Sequence, residues 1–187
     1  MIDDVYTGPY YGSSGILLYD ALENSGISVK MNTVGNTQLA IALATDEFAA
    51  NQYDDGVTIT GNKIIGTSDF DAIDACSNGN TITSNTIMNS AESAIHLDSS
   101  CSGGGNNTGN NNTVMSNTIT ESACAGIMAD STTTGNTTSS DTFYDVAYTV
   151  ASSTSGCSFA ESRPLTEQGH RAFSPKGRTQ KNRSSGK

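Results

Sequence analysis

Aliphatic residues recur along this chain in one fixed relation to asparagine: an aliphatic residue, two spacers, Asn, one spacer and a second aliphatic residue. The copies are Val29-x-x-Asn32-x-Val34, Ile59-x-x-Asn62-x-Ile64, Ile82-x-x-Asn85-x-Ile87 and Val114-x-x-Asn117-x-Ile119, with a weaker fifth at Thr138-x-x-Asp141-x-Phe143. Self-similarity at roughly 20–30 residues marks a solenoid in which each copy is one rung.

A second pattern follows each asparagine. It reads Ala40-Ile41-Ala42-Leu43, Ala72-Ile73-Asp74-Ala75, Ala94-Ile95-His96-Leu97 and Gly126-Ile127-Met128-Ala129, with an earlier copy, Gly15-Ile16-Leu17-Leu18, that no asparagine pattern precedes. A small residue, an aliphatic one and then alternation predict a short strand with one buried face. Each rung therefore carries at least two strands. From each asparagine to the following Ile the step is 9, 11, 10 and 10 residues, but from that Ile to the next copy it is 18, 9, 19 and 11. Insertions thus fall in one corner, at 45–56 and 99–112, and insertions confined to one face mark a binding face.

Period-2 strands, Gly-Asn turns and the lack of a 3.6-residue apolar period exclude a helical solenoid and predict an all-β parallel β-helix. Over about residues 15–150 the chain resembles the right-handed parallel β-helix proteins of the pectin-lyase-like superfamily. Asparagines in that family stack as an internal ladder at a tight turn, and Asn32, Asn62, Asn85 and Asn117 match them. An amide offers donors and an acceptor together, so these four are expected to be structural. The expectation is a right-handed, single-stranded solenoid of about five or six rungs over residues 1–160. Within it 1–14 forms an incomplete rung or cap, and 143–160 a terminal rung or plug. Residues 161–187 are polar, basic and without periodicity, the composition of a disordered tail.

Hydrophobic content of 35% without Trp is thin for a globule but sufficient for a narrow apolar column. Up to Ala160 there are 17 Asp and Glu against Lys30 and Lys63, while seven Lys and Arg lie in the last 25 residues. An acidic body excludes nucleic acid as a partner, because phosphate binding needs Lys and Arg; cations and uncharged glycans fit better. Cys76, Cys101, Cys124 and Cys157 show no C-x-x-C spacing, which argues against structural zinc and leaves disulfides or packed thiols. No run approaches the ~20 apolar residues of a membrane span. The first 20 residues lack a basic start followed by an apolar run. Either a leader has been removed or the chain is a fragment that enters an existing solenoid.

Taking each recurrent Ile as an inward position, the residues one and three later face solvent on rungs about 4.8 Å apart. Position one then reads Leu17, Ala42, Asp74, His96, Met128, and position three Tyr19, Ala44, Cys76, Asp98, Asp130. Asp74, His96, Asp98 and Asp130 converge, and they are the candidate catalytic residues. Asp98 and Asp130, like charges on neighbouring rungs, raise one another's pKa or attract a cation; they are the candidate metal ligands, with calcium suited to their oxygens. His96 beside Asp74 is placed for general acid or base work. Carboxylates about 5 Å apart match retaining glycosidases, whereas the Asp74–Asp98 diagonal lies nearer the inverting range. The alternative is a solvated acidic surface.

The resemblance implies polysaccharide lyases, polygalacturonase-like hydrolases, alginate epimerases or non-catalytic adhesion proteins. The lyases' arginine base has no counterpart before Arg163, and the Gly-His-Gly and Arg-Ile-Lys stretches of polygalacturonases are missing. Asp71-Ala72-Ile73-Asp74 resembles the epimerases' Asp-Pro-His-Asp segment, with Ile73 in place of the histidine. The expected function is an exported, extracellular or cell-surface protein that binds a polysaccharide or cell-surface glycan and, as an enzyme, cleaves it by hydrolysis or elimination. The alternative is a non-catalytic adhesin or surface segment of a longer β-helix.

Overall fold

The computed structural model describes residues 2–5, 14–19, 26–44, 55–99 and 108–152; of 2–5, Tyr19 and Ala44 only the backbone is described. The chain begins with β1 (Ile2–Val5) and β2 (Ser14–Tyr19), and then strands come in threes. These are β3 (Ser28–Lys30), β4 (Thr33–Thr37) and β5 (Leu39–Ala44); β6 (Thr58–Thr60), β7 (Lys63–Thr67) and β8 (Ile73–Ala75); β9 (Thr81–Thr83), β10 (Thr86–Ser90) and β11 (Ile95–Leu97). Two more sets follow: β12 (Thr113–Met115), β13 (Thr118–Ser122) and β14 (Ala125–Ala129), then β15 (Thr137–Ser139), β16 (Thr142–Tyr144) and β17 (Tyr148–Ala151). The first sheet runs β1-β4-β7-β10-β13-β16, the second β17-β14-β11-β8-β5-β2 and the third β15-β12-β9-β6-β3. Every pairing is parallel. The molecule is an all-β solenoid of three stacked parallel sheets.

The hydrophobic pattern maps onto three inward columns. Val29, Ile59, Ile82 and Val114 stack in the third sheet, Val34, Ile64, Ile87 and Ile119 in the first, and Ile41, Ile73, Ile95 and Ile127 in the second, all buried. Burying each such side chain is worth about 1.5–3 kcal/mol, so a narrow apolar column carries this fold despite the polar composition. The two copies with glycine before the Ile have a steric cause: a methyl on Gly126 would collide with the Phe143 ring, and one on Gly15 would crowd the Val34 side chain.

The sequence repeat spans a corner. Between the third and first sheets the chain turns on one left-handed residue, Met31, Gly61, Ser84, Ser116 or Ser140 (φ 56, 65, 57, 57 and 59°), and the next residue is the ladder residue. Backbone N and Nδ2 of Asn32 both donate to Asn62 Oδ1 (3.0 and 3.1 Å), and Asn62 repeats this on Asn85 (2.9 and 3.0 Å). Asn85 does the same on Asn117 (2.9 and 3.0 Å), and Asn117 on Asp141 (2.8 and 2.9 Å). Each Nδ2 has a second acceptor in the strand below: Val29 O for Asn62, Ile59 O for Asn85 and Ile82 O for Asn117. Two further polar columns line the neighbouring corner. Val57 N donates to Asn80 Oδ1, Asn80 N to Asn112 Oδ1 and Asn112 N to Asn136 Oδ1 (3.0, 2.9 and 2.8 Å). Beside them Asn78 N donates to Asp55, Asn110 N to Asn78 and Thr134 N to Asn110 (2.6, 2.9 and 2.7 Å).

Asp141 breaks the ladder's chemistry. Its Oδ1 takes the asparagine role, but its Oδ2 is buried without a hydrogen-bond partner, where each lower asparagine places a donating Nδ2. Asp141→Asn should therefore stabilise the protein by about 1–2 kcal/mol, since an unsatisfied buried acceptor costs about that much. Urea unfolding curves that coincide for the two proteins would count against this account.

Of the predicted insertions, 45–54 and 100–107 lie outside the described residues, as do 153–160 of the expected plug and the whole tail, 161–187. In the last strands Tyr144 and Tyr148 are 55% and 46% exposed.

Candidate functional site

The second sheet sets the predicted register. Ile41, Ile73, Ile95 and Ile127 are partners, so Ala42, Asp74, His96 and Met128 form the adjacent column. Asp98 N donates to Ala75 O and Asp130 N to Leu97 O (3.3 and 3.2 Å), which carries the stacking onward to Cys76, Asp98 and Asp130. Asp98 is thereby placed with carboxylate oxygens of both Asp74 and Asp130 nearby, each within 4.8 Å.

The expectation that these columns face solvent holds only in part: Leu17 is 39% exposed, but the middle of the columns is covered. Ala42, Cys76 and Met128 are fully buried, and Asp74 and His96 are 9% and 8% exposed; Asp98 and Asp130 are half-buried. Polar groups from the segments flanking the strands close over the outer face. Thr67 Oγ1, Ser90 Oγ and Ser122 Oγ donate to Phe70 O, Ser93 O and Ala125 O (2.6, 2.5 and 2.7 Å), fixing the corner that leads into each strand. From that corner Asp71 reaches back over the sheet, its Oδ1 accepting Ser93 N at 2.7 Å and its Oδ2 contacting His96 Nδ1 at 3.0 Å. On the exit side, Ser99 N and Oγ both donate to Asp130 Oδ2 (3.0 and 2.9 Å).

His96 is consequently not a base set against Asp74. Its Nδ1 meets Asp71 and its Nε2 meets Asp130 Oδ1 at 3.1 Å, so three successive rungs contribute carboxylate, imidazole and carboxylate. Burial pulls the His96 pKa down, but the Asp71 charge and the hydrogen bonds to Asp130 and Asp71 outweigh it and hold it well above the usual histidine value. Both nitrogens of the imidazolium then act as donors. Asp130 is pushed up by burial, yet His96 and Ser99 drive its pKa far below the carboxylate range. Asp74 behaves oppositely: burial first, then the Asp98 charge, hold it well above the usual value, toward the protonated acid.

Cys76 Sγ lies 3.4 Å from Asp74 Oδ1 and 3.8 Å from Asp98 Oδ2. Cys76 and Cys124 are both disulfide-bonded. A disulfide sulfur has no proton to donate and is no thiolate ligand, so Cys76 leaves the carboxyl oxygens as the donors of this cluster. The second group that could hold an ion is His96, Asp98 and Asp130. Its imidazole is already bonded through both nitrogens and its Asp130 through both oxygens, which weakens it as a metal centre. Calcium at the expected pair, Asp98 and Asp130, would compete with the bonds that Asp130 already makes to His96 and Ser99. One carboxyl oxygen of Asp98 comes within 4.8 Å of one of Asp74, and one within 4.8 Å of one of Asp130.

Beside Asp71, Glu92 has its pKa raised by burial and by the Asp71 charge from 4.5 to about 7. A carboxyl raised in the fold contributes stability that is complete below its unfolded pKa and is lost as pH climbs through the folded value. Glu92→Gln should therefore melt with the wild type near pH 4 and above it at pH 8.5. A constant difference across that range would exclude Glu92 as the titrating group.

No family model, curated protein or solved structure matches the chain.

Proposed function

We propose that this chain is a right-handed parallel β-helix of the pectin-lyase-like kind, of about five or six rungs, that is exported and hydrolyses a polysaccharide at the Asp74–Asp98 pair. The observation that carries the reading is the pair itself: carboxyl oxygens within 4.8 Å, with Asp74 biased toward the protonated form. Neighbouring carboxyls with separated protonation states are the working parts of glycoside hydrolysis, one an acid and the other a nucleophile or base. Asp74 is the acid and Asp98 the nucleophile or base beside it; Asp71, His96 and Asp130 hold the patch in place. Calcium, if bound, would sit at Asp98 and Asp130, beside the acid rather than on it, and add positive charge near the substrate. The asparagine ladder supports the superfamily reading. The bonded Cys76 and Cys124 support export, because disulfides persist in oxidising compartments. Among the described residues no helix is long and apolar enough to cross a membrane.

Reducing-sugar release from a panel of neutral and charged glycans, with and without calcium, tests this. Asp74→Asn and Asp98→Asn should each lower turnover about 100-fold or more without lowering the melting temperature. Unsaturated products would indicate elimination instead.

The burial of Asp74 and His96 favours a second reading, a non-catalytic adhesin or surface segment. That protein would turn over no glycan and would be indifferent to Asp98→Asn.

A further inference from the structure

We infer that the disulfides pair Cys76 with Cys101 and Cys124 with Cys157, fastening the second sheet at both of its sides. The inference does not depend on whether that sheet acts on a glycan. Four cysteines allow three pairings, and the geometry leaves one. Cys76 and Cys124 are each bonded, while Cys101 and Cys157 lie outside the described residues. Cys76 and Cys124 cannot be bonded to each other. Cys76 follows the last residue of β8, at the exit side of the sheet, and Cys124 precedes the first residue of β14, at the entry side. The five residues of β14 set the two sides about 13 Å apart, and β8 and β14 lie two strand spacings apart, about 10 Å. A disulfide spans at most about 7 Å between Cα atoms.

Cys101 is out of reach of Cys124 as well. Asp98 N donates to Ala75 O, which stacks Asp98 on Cys76, and Ser99 N and Oγ tie the next residue to Asp130, still at the exit side. The two residues from Ser99 to Cys101 extend about 7 Å, enough to meet Cys76. They are too few to recross the sheet, where Asp130 alone lies about 16 Å along the strand from Ala125. Cys157 is therefore the partner of Cys124. β17 runs beside β14 with Tyr148 opposite Ala125, so Cys124 lies next to the start of β17. The five residues from Ser152 to Cys157 extend about 17 Å, more than the ~13 Å from Ser152 back to Tyr148. Cys76 is left with Cys101. The two bonds close separate stretches of chain, 76–101 and 124–157, so each constrains its own part of the unfolded chain independently of the other.

The test is mass spectrometry of the full chain, produced under oxidising conditions, alkylated at any free thiol, denatured and cut after glutamate without reduction. Cleavage at Glu47, Glu92, Glu121 and Glu161 places Cys76 on 48–92, Cys101 on 93–121, and both Cys124 and Cys157 on 122–161. The digest should contain 48–92 joined to 93–121, and 122–161 on its own, two hydrogens lighter than after reduction. Either other pairing joins all three peptides in one species, which would overturn the assignment. Alkylation of all four cysteines, or a chain-to-chain dimer that reduction dissolves, would overturn it too. Cys101→Ser gives a second readout: Cys76 alone should become alkylated while 122–161 keeps its internal bond. Alkylation at Cys124 in that variant would show that Cys101 had been its partner.

Discussion

Replacing His96 by Gln is expected to cost about 3–5 kcal/mol of unfolding free energy, because it strands two buried carboxylates that share one cation. Asp71 would keep only Ser93 N, and Asp130 only Ser99, while each loses a contact of about 3 Å to the imidazolium. The three residues also stitch three successive rungs together across the second sheet, so the loss falls on rung stacking as well as on charge. The pH dependence has a defined sign. The raised His96 pKa gives stability that is complete below the unfolded histidine value, about 6.5, and is lost as pH rises through the folded one. The depressed Asp130 pKa gives stability present above its unfolded value and lost as pH falls through the folded one. The gap between wild type and His96→Gln should therefore be widest near pH 5–6 and narrow on both sides. Urea unfolding at pH 4, 6 and 9 measures it, and a gap below about 1 kcal/mol at pH 6 would show that the ion triad adds nothing to stability.

Much of the scaffold was legible because β-solenoid register propagates from one residue to all its neighbours. Once Ile73 and Ile95 are aligned, Asp74 must sit beside His96, and Asp98 follows within reach. Asp71 was not legible. It lies two residues before Ile73, on the parity that strand alternation assigns to the interior, but β8 begins only at Ile73 and the preceding corner turns the side chain outward. Burial of the outer face was missed for the same reason: alternation gives direction, not what closes over a sheet. The second ladder could have been found. Asn80, Asn112 and Asn136 each lie five positions before Asn85, Asn117 and Asp141, and the steps of 32 and 24 residues repeat those of the first ladder. Its flanking residues are polar rather than aliphatic, so a search keyed to hydrophobic positions passes over it.

Asn85→Ala should destabilise the protein by about 3 kcal/mol or more, close to the His96 effect although no charge is involved. Asn85 is buried; its Oδ1 accepts from Asn62 N and Nδ2, and its Nδ2 donates to Ile59 O and Asn117 Oδ1. Alanine leaves the Asn62 backbone N–H and the Ile59 carbonyl without those partners, and each orphaned buried group costs about 1–3 kcal/mol. The site offers a sharper comparison than a deletion alone. Asn85→Asp keeps the acceptor for Asn62 but turns a donor toward Ile59 O into a second acceptor, reproducing mid-ladder what Asp141 does in the last rung described. Asn85→Asp and Asp141→Asn should thus move the urea midpoint in opposite directions, the first downward and the second upward. Because the two positions are joined only through Asn117, combining them should give nearly the sum of the single effects. A shift of the same sign in both variants would mean that donor and acceptor complementarity along the ladder does not set the stability of these corners.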